Sequence, residues 1–313
     1  MPGTFDDLAG KLTNKPTEML IDRYSFTGDI LSYKRCSKQY GTFSHYKFTK
    51  ALPIQAWFGD VVHMTIERLF RQTKGEIENE QKNIANNVEP SDADVIYHCD
   101  EVIEILKSRG MFARHSDQES VKSLLKIFNS TQGLAFYERI HESEVRLETI
   151  IDPGGSSMPY ILNGIVDVLF SPDDDTLEIW DYKAMDKPDS SIPAEAVKLA
   201  DLENQMYTYV DIVQALFPDQ KLSCAVLYFV NELDSGGSGN PEYRIDLTDA
   251  SVQQSIVDAR DDANTIVDEI RQCKTSGIFP LPKKGEVDKK TCDACEWRWK
   301  CPSTLKTYKF TAP

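Results

Sequence analysis

From Gln55 to Gln72, apolar residues recur at helical spacing (Trp57, Phe58, Val61, Val62, Ile66, Leu69, Phe70), which predicts an amphipathic helix. Gly75–Ser91 is polar and acidic and reads as a loop or frayed connection. Two further helices are expected over Asp92–Arg109 and Asp117–His141, the second carrying Val121, Leu124, Leu125, Phe128, Leu134, Phe136 and Tyr137. The period then shortens. Glu144–Ile151 and Tyr160–Phe170 are rich in β-branched and apolar residues, SPDDDT over Ser171–Thr176 is turn chemistry, and Leu177–Lys183 is the returning strand. Next come a helix over Leu202–Leu216 that ends near Pro218, a strand over Leu222–Val230, a turn at Ser235–Pro241 and a strand over Glu242–Leu247. Asp249–Ser276 predicts a long helix capped by Gly277, with Pro280 just beyond. This order describes a mixed α/β (α+β) fold: one domain over residues 1–313, with a helical insertion over 75–140 and a cysteine-rich tail.

Composition adds limits to this picture. Apolar content of 41% and charged content of 27% are those of an ordinary soluble globular chain. No apolar run approaches the roughly 18 residues of a membrane span, and MPGTFDDLAG lacks a signal pattern, so a cytoplasmic protein without a membrane partner is expected. The net charge of −15 disfavours a polyanionic partner until its distribution is considered. Leu31–Lys50 holds five basic residues and no acidic one, and Lys283–Lys309 holds eight basic against four acidic. Two basic segments on an acidic body suit a protein that engages nucleic acid at one place, although two solvated faces would give the same count.

The hairpin carries the chemistry. If its turn is centred on Asp174, residues whose numbers add to 348 lie opposite each other, and Asp167 faces Asp181. Like charges opposed in a sheet repel. A divalent cation offsets that repulsion, since carboxylate oxygens are what Mg²⁺ and Mn²⁺ prefer. Alternation places Lys183 on the face of Asp181, where an ammonium could hold a water nucleophile or neutralise charge on a phosphoryl group. A plain ladder of two aspartates and one lysine is the other reading of these residues.

GIVDV followed by EIWDYKA resembles the signature of the PD-(D/E)XK nuclease superfamily, an Asp followed across a turn by an acid–x–Lys triplet, here Asp181-Tyr182-Lys183. FGDVVH, with Gly59 and His63, is similar to the G-x-x-x-H helix of the RecB-like branch, and QMYTY, with Gln205 and Tyr209, to its Q-x-x-x-Y motif. The resemblance implies a restriction-endonuclease-like fold with a mixed central sheet flanked by helices. It also implies a metal-dependent DNA nuclease with His63, Asp167, Asp181 and the carbonyl of Tyr182 as ligands of Mg²⁺ or Mn²⁺. Lys183 would orient the attacking water, and Gln205 and Tyr209 would contact DNA or brace the site. Exonuclease action on single-stranded or frayed ends follows as an expectation, in repair, recombination or CRISPR spacer acquisition. The alternative is a DNA-end-binding or scaffolding subunit of a helicase–nuclease or adaptation complex, with protein partners and little activity of its own. Glu67 is expected to pair with Arg71, and Glu148 is a candidate outer acid.

Seven cysteines complete the inventory, with Cys292, Cys295 and Cys301 in one C-x2-C-x5-C run and Cys36 far upstream. This is similar to the split set of RecB-like nucleases, including the AddB nuclease domain and the small CRISPR-associated nucleases. It implies a [4Fe–4S] cluster subdomain made of residues 283–313 plus Cys36, with zinc as the competing ion. Tyr33, Tyr40, Tyr46, Phe48, Trp297 and Trp299, interleaved with the basic residues, either stack on single-stranded bases or cover the cluster. Cys99, Cys224 and Cys273 read as buried or incidental.

Overall fold

In the computed structural model, residues 21–48, 54–76, 88–155, 157–173, 175–234, 237, 239–282, 287 and 289–303 are described. Most of the polar segment expected as a loop after Gly75, and part of the C-terminal basic segment, lie outside them. Six strands form one mixed sheet: β1 (Arg23–Ser25), β2 (Ile140–Ile151), β3 (Tyr160–Phe170), β4 (Thr176–Lys183), β5 (Lys221–Phe229) and β6 (Glu242–Asp246). The principal helices are α1 (Ile54–Thr73), α2 (Asp92–Ser108), α3 (His115–Arg139), α4 (Pro193–Leu216) and α5 (Ala250–Ser276). Among the described residues no helix is long and apolar enough to cross a membrane.

Two features of this sheet position the site. First, β2 runs antiparallel to β3 along its whole length and takes one edge of it. β1, parallel, pairs with β3 only at Ile161–Asn163, and β4, antiparallel, only at Val168–Phe170. Since a strand has two edges, β1 and β4 share the second one, and a gap opens between them at Gly164–Asp167. Second, the alternation of β3 breaks inside that gap. Leu162, Val166 and Leu169 belong to the core on one side of the sheet, and Val168 and Phe170 to the core on the other. Val166 and Leu169 are three residues apart, so the side-chain parity inverts at Asp167, as it does at a bulge.

Each face of the sheet has its own helical layer. α4 and α5 pack with β1 and its following turns on one face. α1, α2 and α3 cover the other, so the helices of the predicted insertion share their core with Val168, Trp180, Tyr182 and Tyr228 of the sheet. Local chemistry explains the helix ends. Ser91 and Asp94 form a reciprocal capping box at α2, Pro193 opens α4, and Gly277 closes α5 at φ 68°. α4 starts nine residues before the expected Leu202. Its first turns, PAEAVKLAD, are rich in alanine and largely exposed, with Leu199 the one buried residue, so they carry no apolar stripe for sequence periodicity to detect. β1 and the helical turns over Phe26–His45 were not expected either; a three-residue strand is held by register with β3, not by local pattern.

An aromatic junction ties the second layer to the sheet. Phe128 of α3 meets Phe136, Tyr182 and Tyr228 edge-on, with ring centroids 5.7, 5.6 and 5.4 Å away. Phe128 is fully buried. Phe128→Ala should therefore cost about 3–5 kcal/mol of stability, measured by urea unfolding followed by circular dichroism.

Candidate active site

Sequence-predicted residues from four elements meet where β3 and β4 diverge. The observed β3–β4 pairs add to 348, the register that the turn at Asp174 predicts. Beyond Val168 and Trp180 the ladder stops, and the Asp167 side chain takes over. Its Oδ2 accepts from the Tyr182 backbone N–H at 2.7 Å, which places the carboxylate between the two strands. His63, on α1, approaches from the helical layer, with Nδ1 3.2 Å from Asp167 Oδ1 and Nε2 3.2 Å from the Tyr182 carbonyl. The Tyr182 ring packs edge-on against His63 and Phe128, so the same residue that anchors the sheet to α3 supplies a backbone carbonyl to the site.

Asp181 is held from the opposite layer. Its Oδ2 is 2.5 Å from Lys183 Nζ, an ion pair without an aligned hydrogen bond, so this buried oxygen lacks a hydrogen-bond donor. Gln205, on α4, links the group: its Nε2 donates to Asp181 Oδ1 at 3.2 Å and to the Tyr209 hydroxyl at 2.9 Å, and its Oε1 accepts from Lys183 at 3.0 Å. Tyr209 reaches this position because β3 has glycine at 164. A Cβ there would lie 2.7 Å from Tyr209 Cε1.

One acid escaped the sequence reading. Glu144 Oε1 is 3.3 Å from His63 Nδ1, and His63, Glu144 and Asp167 each offer a ligand atom within 4.8 Å of the other two. Glu144 adopts φ 53°, left-handed backbone that is costly for a non-glycine residue and concentrates at functional sites. The signal that could have found it is the turn after Ile151. A hairpin centred between Gly155 and Ser156 gives β2–β3 pairs adding to 311, as observed, and sets Glu144 level with Asp167. Glu148, the acid singled out instead, bonds Arg23 at the surface. Glu67 pairs with Arg71 at 2.9 Å.

Electrostatics reflects the crowding of acids. Burial pushes the Asp167 carboxyl up to about 6; His63 opposes this and Asp181 adds to it. Burial alone would lower the His63 pKa, but Asp167 and Glu144 outweigh it and hold the imidazole well above its ordinary value. Without a cation, the site neutralises itself with protons. The donor set fits a divalent ion: two carboxylates and a carbonyl converge with an imidazole nitrogen, and a third carboxylate keeps an orphaned oxygen beside them.

The four cysteines of the split set also come together. The Cys36 and Cys292 thiols are pushed up chiefly by burial and further by the other members of the set, so Cys36 faces Cys295 and Cys301 across the fold. Cys36 Sγ also caps a helical turn, accepting from Gln39 N–H at 3.4 Å. Cys99, Cys224 and Cys273 are buried elsewhere, and no cysteine is in a disulfide. Of the interleaved aromatics, Tyr33 and Tyr40 are core residues, while Tyr46, Phe48 and Trp299 are exposed and Lys38 lies over the Trp297 ring.

Comparison with known proteins adds to this geometry. The family model of the PD-(D/E)XK nuclease superfamily matches residues 28–302. No curated protein matches the chain. Among solved structures, a candidate exonuclease from Eubacterium rectale superposes with a TM-score of 0.52 at 12% identity, covering 100% of this chain and 96% of that one. The structure of SSO0001, at 15% identity and a TM-score of 0.34, covers 77% of this chain and 96% of that one; it is too distant to carry an argument.

Protons and cation compete for the same atoms. Binding of Mn²⁺ should release protons, and affinity should fall as pH drops through about 6, where Asp167 becomes protonated; His63, held well above its ordinary value, must also give up its proton to bind the ion. Calorimetry in buffers of different ionisation heat measures both quantities.

Proposed function

Because the chain belongs to the PD-(D/E)XK nuclease superfamily, we propose that it is a metal-dependent deoxyribonuclease of the RecB-like kind, acting as an exonuclease on single-stranded or frayed DNA ends. The observation that carries this reading is the meeting of His63, Glu144, Asp167 and the Tyr182 carbonyl beside the Asp181–Lys183–Gln205 chain. His63, Asp167, Asp181, Tyr182 through its carbonyl, and Glu144 would hold Mg²⁺ or Mn²⁺. The bound ion would polarise the scissile phosphate and make a neutral-pH nucleophile of water. Lys183, fixed by Gln205 on one side and Asp181 on the other, points its ammonium at the site and would orient that water. Gln205 passes the constraint to Tyr209, so the α4 motif braces the lysine. Repair, recombination and CRISPR spacer acquisition are the settings that suit such an enzyme.

The second cofactor in this proposal is a [4Fe–4S] cluster on Cys36, Cys292, Cys295 and Cys301. The family pattern and the lone distant Cys36 favour it over zinc, the competing ion. The group would join the turns after β1 to the C-terminal segment, two stretches that carry the basic residues.

Asp167→Ala or Lys183→Ala should reduce cleavage of labelled single strands at least about a hundredfold with Mg²⁺ or Mn²⁺ present, with an unchanged circular dichroism spectrum. Full turnover in either variant refutes the assignment. The purified chain should be brown and carry iron and acid-labile sulfide in equal amounts, and Cys295→Ser should lose both; a colourless zinc protein would rule the cluster out.

A further inference from the structure

The gap in the sheet leads away from the candidate active site. Between β1 and β4, one edge of β3 has no strand partner at Gly164–Val166 among the described residues. A cavity of about 530 Å³ opens there, lined among others by Arg23, Arg146, Glu148, Asn163, Ile165 and Tyr209. Tyr209 connects it to the site, since its hydroxyl accepts from the Gln205 amide that also holds Asp181. The β2–β3 register spaces the rest. Arg146 pairs with Ile165 and Glu148 with Asn163, two and four residues along from the level of Glu144 and Asp167. Two residues of strand span about 7 Å, which is within the reach of a single nucleotide.

The charges in this cavity are unequally committed. Arg23 is bonded to Glu148, and both side chains are more than half exposed, so the pair is weak and opens at small cost. Arg146 is exposed and makes no hydrogen bond or ion pair among the described residues. A free guanidinium one step from a cluster of three carboxylates can serve an anion that the carboxylates themselves repel. Ile165, 40% exposed beside it, offers an apolar surface for a sugar or base.

We infer that Arg146 holds a backbone phosphate of the substrate strand about one nucleotide from the bond to be cleaved, and that Glu148 restrains a second phosphate contact by occupying Arg23. This rests on the nuclease reading above. It predicts substitutions that act in opposite directions. With a fluorescein-labelled single-stranded oligonucleotide and Ca²⁺ replacing Mg²⁺ to prevent turnover, affinity is measured by anisotropy over a range of KCl. Arg146→Ala should weaken binding several-fold and flatten the plot of log affinity against log salt by about 0.7, one phosphate contact on a single strand. Glu148→Gln, which releases Arg23, should tighten binding and steepen that plot; a gain of this kind cannot come from unfolding. In cleavage assays Arg146→Ala should raise KM more than it lowers kcat. A wild-type chain that cuts DNA while both variants keep its salt slope overturns this inference alone, as does weaker binding by Glu148→Gln. A wild-type chain that neither binds nor cuts DNA overturns the nuclease reading and this inference with it.

Discussion

Three carboxylates converge on one partly buried place in this fold, and the chain does not supply enough fixed positive charge to balance them. Glu144, Asp167 and Asp181 share His63 and Lys183, and one oxygen of Asp181 is left without a hydrogen-bond donor. Burying unpaired charge is costly, and here the cost shows as a carboxyl raised to about 6 beside an imidazole that keeps its proton. A divalent cation resolves all of these at once. The stability that the rest of the fold provides, above all the two apolar layers, is what allows such a cluster to persist before any ion arrives.

The way the sheet meets this requirement is geometric. A regular ladder would continue from Val168–Trp180 into Asp167–Asp181. Instead β3 inverts its side-chain parity at Asp167, β2 places Glu144 in left-handed backbone at the same level, and the Asp167 carboxylate bonds the Tyr182 N–H in place of a backbone partner. These departures open the sheet between β1 and β4. They let His63 approach from one helical layer and Gln205 from the other, so the site is built between layers and not upon one of them. The same opening forms the cavity that carries Arg146.

The acidic balance of the chain becomes intelligible in these terms. A net charge of −15 repels a polyanion over most of the surface, so cationic groups act where they are concentrated: near Cys36, along the C-terminal segment, and at Arg23 and Arg146 beside the carboxylates. Cys36 lies within range of Cys292, Cys295 and Cys301 and Lys38 lies over the Trp297 ring, so the described parts of the first two stretches meet.

Much of this was legible in the chain, because short-range physics decides it. Helical and strand periods located α1, α2, α3 and α5 and five of the six strands. The turn residues around Asp174 fixed the hairpin register and with it Asp167, Asp181 and Lys183, while His63 and Gln205 could be named through the resemblance of their motifs to those of a known family. What only the tertiary structure decided depends on register between distant segments and on backbone irregularity. β1 is too short to carry a pattern, the parity inversion at Asp167 has no local signature, and Glu144 resembles its neighbours Glu142 and Glu148 until the β2–β3 pairing sets it level with Asp167. Periodicity records which side of an element is buried. Which acids then meet is set by how strands are aligned, and that is a property of the assembled sheet.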